Sequence, residues 1–285
     1  MRCPRCGNDI LATQYTCHVC NTVLIVEFLE TKIPLFRRHE ERWHKPMTML
    51  QRFKWIILNP SKAMWDIVHK PKSEGGVFLF FINALLFGLV GVVLYNKIDF
   101  SGVSIYGFPY SSLPQIQWLA GLSIYFAFVA YGIVYFLILW GFLLLAHTIA
   151  AKYILNINPR YGQQLGVMNW AFLPALVVTG VYILVLDFGL PTVSLGTMNL
   201  SNIGSIPIAI YSQVLSLYFS PRSLPTWIAA DIVQIVYYFG YLSLLLAIAF
   251  REMYDKSTTK ALISAIIAGI ICATIFVLTR SSFAF

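Results

Sequence analysis

Apolar residues run along this chain in blocks too long and too continuous for strand alternation or for a one-sided amphipathic helix. Intervals without Asp, Glu, Lys or Arg cover 75–96, 100–151, 161–186, 232–250 and 261–279. A bilayer core takes about 20 residues of helix, so the pattern predicts an all-α polytopic membrane bundle with five spans, near 76–95, 119–150, 163–186, 227–250 and 261–279. The second would extend about 48 Å and must tilt, kink or project beyond the bilayer. Between the third and fourth spans, Ile208–Phe219 is apolar but too short to cross, so residues 206–219 are expected to form an interfacial or re-entrant helix. Ahead of the first span the pattern changes. The stretches MTMLQRFKWIILN and SKAMWDIVHKP, separated at Asn59-Pro60, interleave aromatic with basic residues. They predict short helices lying in the inner interface against anionic lipid, or a collar that only positions what precedes it. Three segments follow: residues 1–30, where Cys3, Cys6, Cys17 and Cys20 predict a small β zinc ribbon, a basic juxtamembrane segment with interfacial helices over 31–74, and a five-span membrane domain over 75–285.

Composition agrees with the pattern. The chain is 58% hydrophobic and 11% charged, less than half the charge of an ordinary soluble domain. Placing the N-terminus inside puts seventeen of the 20 Lys and Arg on the inner side, leaving Lys97, Arg222 and Arg280 outside. That bias predicts a cytoplasmic N-terminus at the cell membrane and an external C-terminus.

The five cysteines divide four to one. Cys3, Cys6, Cys17 and Cys20 form two Cys-x-x-Cys turns, and Cys272 stands alone near the other end. Doubled Cys-x-x-Cys spacing suits one tetrahedral zinc ion, and four thiolates leave no open position for a catalytic water. Gly7 supplies the positive φ that a chain curling back to the metal requires. Thr22–Phe28 reads as a strand of the ribbon, and His18 is surplus as a ligand.

Chemistry at membrane depth is sparse. Asn83, His147, Asn169, Asp231 and Gln234 are the polar residues within the spans, and Asp231 with His147 makes the one speculative polar site. Asp231, four residues into its span, could be hydrated at the outer interface. His147, in the last turn of another, reads as a packed interfacial residue. No HExxH, GxSxG or paired carboxylate occurs, so enzyme chemistry has no candidate residues. In the last span Ala261, Ala265, Ala268, Gly269, Cys272 and Ala273 predict a small-residue packing stripe, opposed by Ile266, Ile267, Ile270 and Phe276. Ala84, Gly88 and Gly91 give the first span a similar face.

Two segments carry a family resemblance. NPSKAMWDIVHKP, residues 59–71, precedes the first span, and YGQQLGVMNWAFLPAL, residues 161–176, places Trp170, Ala171 and Pro174 inside the third. Both resemble the Yip (Ypt-interacting protein) family over residues 59 to 280. The resemblance implies a helical bundle without catalytic activity and, in eukaryotic members, a link to small GTPases of the Rab type. The acidic-aromatic motif with Tyr-Gly-Pro found in those members is absent, so the chain is more similar to a prokaryote-type member with a fused ribbon. The expected function is a non-enzymatic scaffold or adaptor that presents the ribbon to a cytoplasmic protein, with the lipid bilayer as its other partner. Nucleic acid is disfavoured because Glu27, Glu30, Glu40 and Glu41 break up the positive charge. Homo-oligomerisation stays open. The alternative is a transporter or lipid-handling bundle.

Overall fold

The computed structural model of the protein describes residues 1–40, 45–70, 76–194, 198–200, 206–218 and 225–281. Among the described residues, five helical stretches are long and apolar enough to cross a membrane: Phe78–Asn96, Pro114–Tyr153, Tyr161–Gly189, Pro225–Tyr254 and Thr258–Leu278. The chain is a multi-pass membrane protein. In the elements that carry these spans, α4 is Gly76–Asn96, α5 Pro114–Tyr153, α6 Tyr161–Ala171, α7 Ala175–Gly189, α9 Pro225–Val236, α10 Ser243–Tyr254 and α11 Thr258–Ser281. Ahead of them come α1 (Phe28–Lys32), α2 (Met49–Leu58) and α3 (Pro60–His69), and α8 (Ile206–Tyr218) lies between the third and fourth spans. The second span is one continuous helix of 40 residues, about 60 Å long.

Two spans are interrupted for identifiable reasons. Pro174 has no N–H for the carbonyl of Trp170, and the helix breaks between α6 and α7. The N–H of Leu173 takes over that carbonyl at 3.1 Å, and the Tyr237 hydroxyl donates to the Ala171 carbonyl at 3.0 Å. The fourth span carries a π-helical turn, Tyr237–Leu242, between α9 and α10. There the Tyr238 carbonyl accepts from the hydroxyl of Ser243, five residues on, at 3.4 Å.

Contacts divide the chain into two compact units. The first comprises Met1–Leu79, Leu139–Pro174 and Tyr237–Ala273. Its centre is α3, which packs along α10, α2 and α6 and buries every residue from Pro60 to Val68 except Lys62. Asn59 caps α3 by accepting from the Lys62 N–H, and Thr48 caps α2 through a capping box with Gln51. Within the same unit α11 presents Ala261, Ser264, Ala265, Ala268, Gly269 and Cys272 as one buried face, and Phe276, further along the helix in the second unit, is buried too. A Cβ at Gly269 would clash with Ser243 Oγ and stand 2.8 Å from the Tyr238 carbonyl, so only glycine lets α11 approach the π-helical turn.

The second unit comprises Phe80–Ile138, Ala175–Val236 and Thr274–Phe285. Gly88 and Gly91 of α4 give way to Tyr125, Val129 and Phe128 of α5, each within 3 Å of where a Cβ would stand. Beside them Phe87, Phe128 and Tyr131 surround the Tyr218 ring of α8 at centroid distances of 6.2, 5.5 and 6.0 Å. Between α4 and α5 the chain forms β1 (Ile98–Asp99), β2 (Val103–Ile105) and β3 (Phe108–Pro109). Tyr106 and Gly107, at φ of 50° and 83°, make the two-residue turn of the β2–β3 hairpin. After α7, β4 (Val193–Ser194) pairs parallel to β1, and β5 (Met198–Leu200) pairs parallel to β2.

Several expectations change. Thr22–Phe28 does not form a strand: only an isolated bridge, Thr16 to Val23, survives, and Phe28 opens α1. A ribbon's strands are thus reduced to two bridges, the other being Arg2 to Asp9. The second juxtamembrane helix, α3, is covered by protein on nearly every side rather than lying on lipid. In α11, Phe276 belongs to the buried face it was expected to oppose, while Ala273 is half-buried beside it, because the stripe follows a 3.6-residue period through 265, 268, 269, 272 and 276. The 74/75 boundary and Phe219 lie outside the described residues.

Candidate metal centre and its seat

The two cysteine turns are local copies of one another. In each, the N–H of the first cysteine bonds a carbonyl five residues on, Cys3 to Asn8 and Cys17 to Thr22. The residue four on returns its N–H to that cysteine's carbonyl, Gly7 to Cys3 and Asn21 to Cys17. Both of those residues are left-handed, at φ of 72° and 58°. Asn is the side chain best able to stand where Gly stands in the first copy. The turns face each other, and all four Sγ atoms lie within 4.8 Å of one another. Cys3 and Cys20 are 3.5 Å apart, Cys6 and Cys17 3.7 Å. Four sulfurs at about 2.3 Å around one ion stand about 3.8 Å apart, and a disulfide would need about 2.05 Å. The set therefore fits a single four-coordinate metal ion, with Cys3 and Cys17 buried and Cys6 exposed.

The sulfurs differ electrostatically. The hydroxyl and N–H of Thr22 hold the Cys20 thiol down at about 6. N–H groups of Cys6 and Arg5 lower Cys3. The Asn8 N–H favours the Cys6 thiolate, but burial and the neighbouring sulfurs of Cys20, Cys3 and Cys17 push it up to about 12. Sulfurs so close do not all ionise unless a cation offsets their mutual repulsion, and a bound divalent ion supplies that charge. His18 stands outside the set: its ring nitrogens meet the amides of Asn8 and Gln14 at 3.2 and 3.4 Å.

The cysteine module is not a loose tail. The Tyr15 N–H and the Thr16 hydroxyl both donate to the carboxylate of Asp255, at 3.1 and 2.8 Å, in the turn between α10 and α11. Asp255 is itself left-handed, at φ 48°. Arg38, stacked over the Tyr15 ring at 4.8 Å, bonds Asp255, Glu30 and the Lys256 carbonyl. Glu30 also accepts from Thr258. Behind it, the fully buried Arg251 donates to the carbonyls of Phe36 and Arg37 and to Ser61, with Glu252 at 3.1 Å. Asn21 accepts from the Trp65 indole of α3 and donates to the His39 carbonyl. Glu27 accepts from the Thr259 N–H at 3.1 Å. Burial raises the Glu27 pKa, but its hydrogen bonds with Ser257, Thr259 and Tyr15 outweigh that and leave it below the usual carboxylate value. The bonds to Asp255, Thr258 and Thr259 join residues more than two hundred apart in sequence, which is why spacing alone did not reveal them. The only signal was an Arg251-Glu252 pair abutting an apolar run.

The remaining candidates separate. His147 is fully buried in the first unit, its Nε2 3.1 Å from the Tyr254 hydroxyl and its ring against Phe250. That hydroxyl also accepts the Arg160 N–H at 3.1 Å. Asp231 belongs to the second unit and is 5% exposed, on one face of α9 with Trp227, Ala230 and Gln234. It is buried against protein rather than hydrated at an interface. Asp231 and His147 thus do not share a described unit. Cys272 is fully buried among Ala268 and Phe276 in the packing face of α11, as are Ala265 and Gly269. No protein-family model, curated protein or solved structure matches this chain.

Proposed function

We propose that this protein is a non-enzymatic membrane scaffold that holds a zinc-loaded cysteine module fixed at one face of the bilayer, as a platform for a cytoplasmic protein. The observation that carries this reading is the seat. Tyr15, Thr16 and Asn21 are bonded to the α10–α11 turn and to α3, while Leu11, Val19, Val26 and Phe28 remain exposed on the module. A purely structural cap would not leave so much apolar surface turned outward. Zinc is the ion of choice because four thiolates in a closed tetrahedral set favour it, and it carries no redox chemistry of its own. Charge bias supports a cytoplasmic module. The resemblance to the Yip family supports an adaptor role, with a small GTPase as one kind of partner.

Two measurements test the reading. Purified protein should hold about one zinc per chain, lost in Cys17→Ser; a zinc content unchanged by that substitution would sink it. In-membrane crosslinking should capture a protein through the intact chain and not through one lacking residues 1–30. Capture that is indifferent to those residues points elsewhere. A second reading, a transporter or lipid-handling bundle, is favoured by one observation: the buried carboxylate of Asp231 on an apolar helix. Solute or lipid flux in reconstituted vesicles that Asp231→Asn abolishes would promote it.

A further inference from the structure

Helix α2 is built inside out. Its inward face carries the fully buried Ile56 beside Arg52, which is 2% exposed and pairs with the fully buried Asp66 of α3 at 2.7 Å. The Arg52 guanidinium also caps the Lys70 carbonyl and lies over the Trp170 ring of α6. The outward face carries Leu50, Phe53 and Ile57, one stripe at helical spacing, flanked by Met49 and by Leu58, and all five are exposed. A soluble helix places its charges the other way round. The surroundings fit the inversion: the Tyr241 hydroxyl, midway along the fourth span, donates to the Ile56 carbonyl at 2.9 Å. The end of α2 is thereby held against an apolar stretch of that span. Beside the stripe, Lys54 and Lys62 bring two ammonium groups to one indole, 5.5 and 4.6 Å from the centroid of the half-buried Trp55 ring. Two like charges gathered at an aromatic ring of the interfacial kind attract an anion to the same place.

We infer that α2 is immersed in the leaflet on its side of the membrane and binds an anionic phospholipid. The acyl chains run along Leu50, Phe53 and Ile57, and the phosphate lies between Lys54 and Lys62. The stripe alone would take any lipid; the lysine pair selects a headgroup with net negative charge, because a zwitterion brings its own cation to the same pocket. The inference is independent of the zinc module and of any protein partner.

Full-length protein, delipidated in detergent, is the material for the test. Phosphatidylglycerol should raise its melting temperature at low lipid concentration. Phosphatidylcholine should do so only at concentrations at least fivefold higher, and inorganic phosphate not at all. Lys54→Gln with Lys62→Gln should weaken the phosphatidylglycerol response at least fivefold, and Lys54→Arg with Lys62→Arg should keep it. In native membranes, a benzophenone side chain at Leu50 should crosslink to phospholipid. Equal response to the two lipids, an unchanged response in the glutamine variant, a full response to phosphate, or a Leu50 crosslink to a second protein chain would each overturn the inference. Should the glutamine variant fail to fold, the arginine variant and the crosslink, which leave both charges in place, decide it alone.

Discussion

Asp255 gathers three donors of the seat on one side chain: a backbone N–H, a hydroxyl and a guanidinium. Asp255 is half-buried, so water reaches some of the donors that its removal frees and the loss lies near the low end of about 1–3 kcal/mol. Asp255→Ala should therefore release the module, seen as protease cleavage between residues 21 and 38 at concentrations that spare the wild type. Asp255→Asn keeps the acceptor oxygen and tolerates the left-handed backbone, so it should release the module less. Glu27 contributes in a pH-dependent way. Its folded pKa is depressed, so its contribution is present above the ordinary carboxylate value and is lost as pH falls through the depressed one. Hydrogen exchange at the Thr259 amide, corrected for intrinsic rate, should accelerate in that acid window and not between pH 6 and 8.

At the scale of elements, two helix pairs depend on opposite kinds of contact. The α2–α3 pair is joined by a buried ion pair, Arg52 with Asp66. Breaking one partner strands a charge, a loss of about 3–5 kcal/mol, whereas replacing both by apolar residues can be nearly neutral. Arg52→Met should thus lower detergent stability far more than Arg52→Met with Asp66→Leu. The contact of α11 with the π-helical turn depends on the absence of atoms. Gly269→Ala puts a methyl against the Tyr238 carbonyl and Ser243 and should cost about 1–3 kcal/mol. Ser243→Ala in the same chain should recover only the part due to the hydroxyl, because the carbonyl stays. Thermal unfolding of the two single variants and the double separates these terms.

For the whole molecule, the spans were legible because bilayer thickness writes itself into uninterrupted apolar length; all five recur within a few residues of their predicted limits, apart from the longer ends of α5. The metal set was legible for a similar reason: each Cys-x-x-Cys turn is local. What the sequence did not disclose is everything joined at long range. Arg38, Glu30 and Arg251 read as scattered surface charge, yet they are buried together, and no periodicity within a segment could report a partner more than two hundred residues away. The fate of α3 was hidden likewise, since a basic, aromatic-rich helix serves as well for packing against α10 as for lying on lipid. Topology remains testable at this scale. A cysteine introduced at Ser112 should react with an impermeant reagent from outside the cell, and one at Ser257 should not.

The bonds from Tyr15 and Thr16 to Asp255 span 240 and 239 residues of chain, and this fixes an order of events during synthesis. At about 5–20 residues per second, the ribosome needs roughly 12–48 s to make the dock after it has made the module. The cysteine turns, closed by contacts within a few residues, can form early in that interval; Arg38 and Glu30 can pair with each other, but Tyr15 and Thr16 have no Asp255 to bond until α10 has been made. Attachment of the first segment to the α10–α11 turn is therefore a report that synthesis has passed residue 255. A chain stalled or cut before residue 255 would carry the cysteine module without that contact, distinguishable from the longer chain by faster hydrogen exchange at the Tyr15 amide.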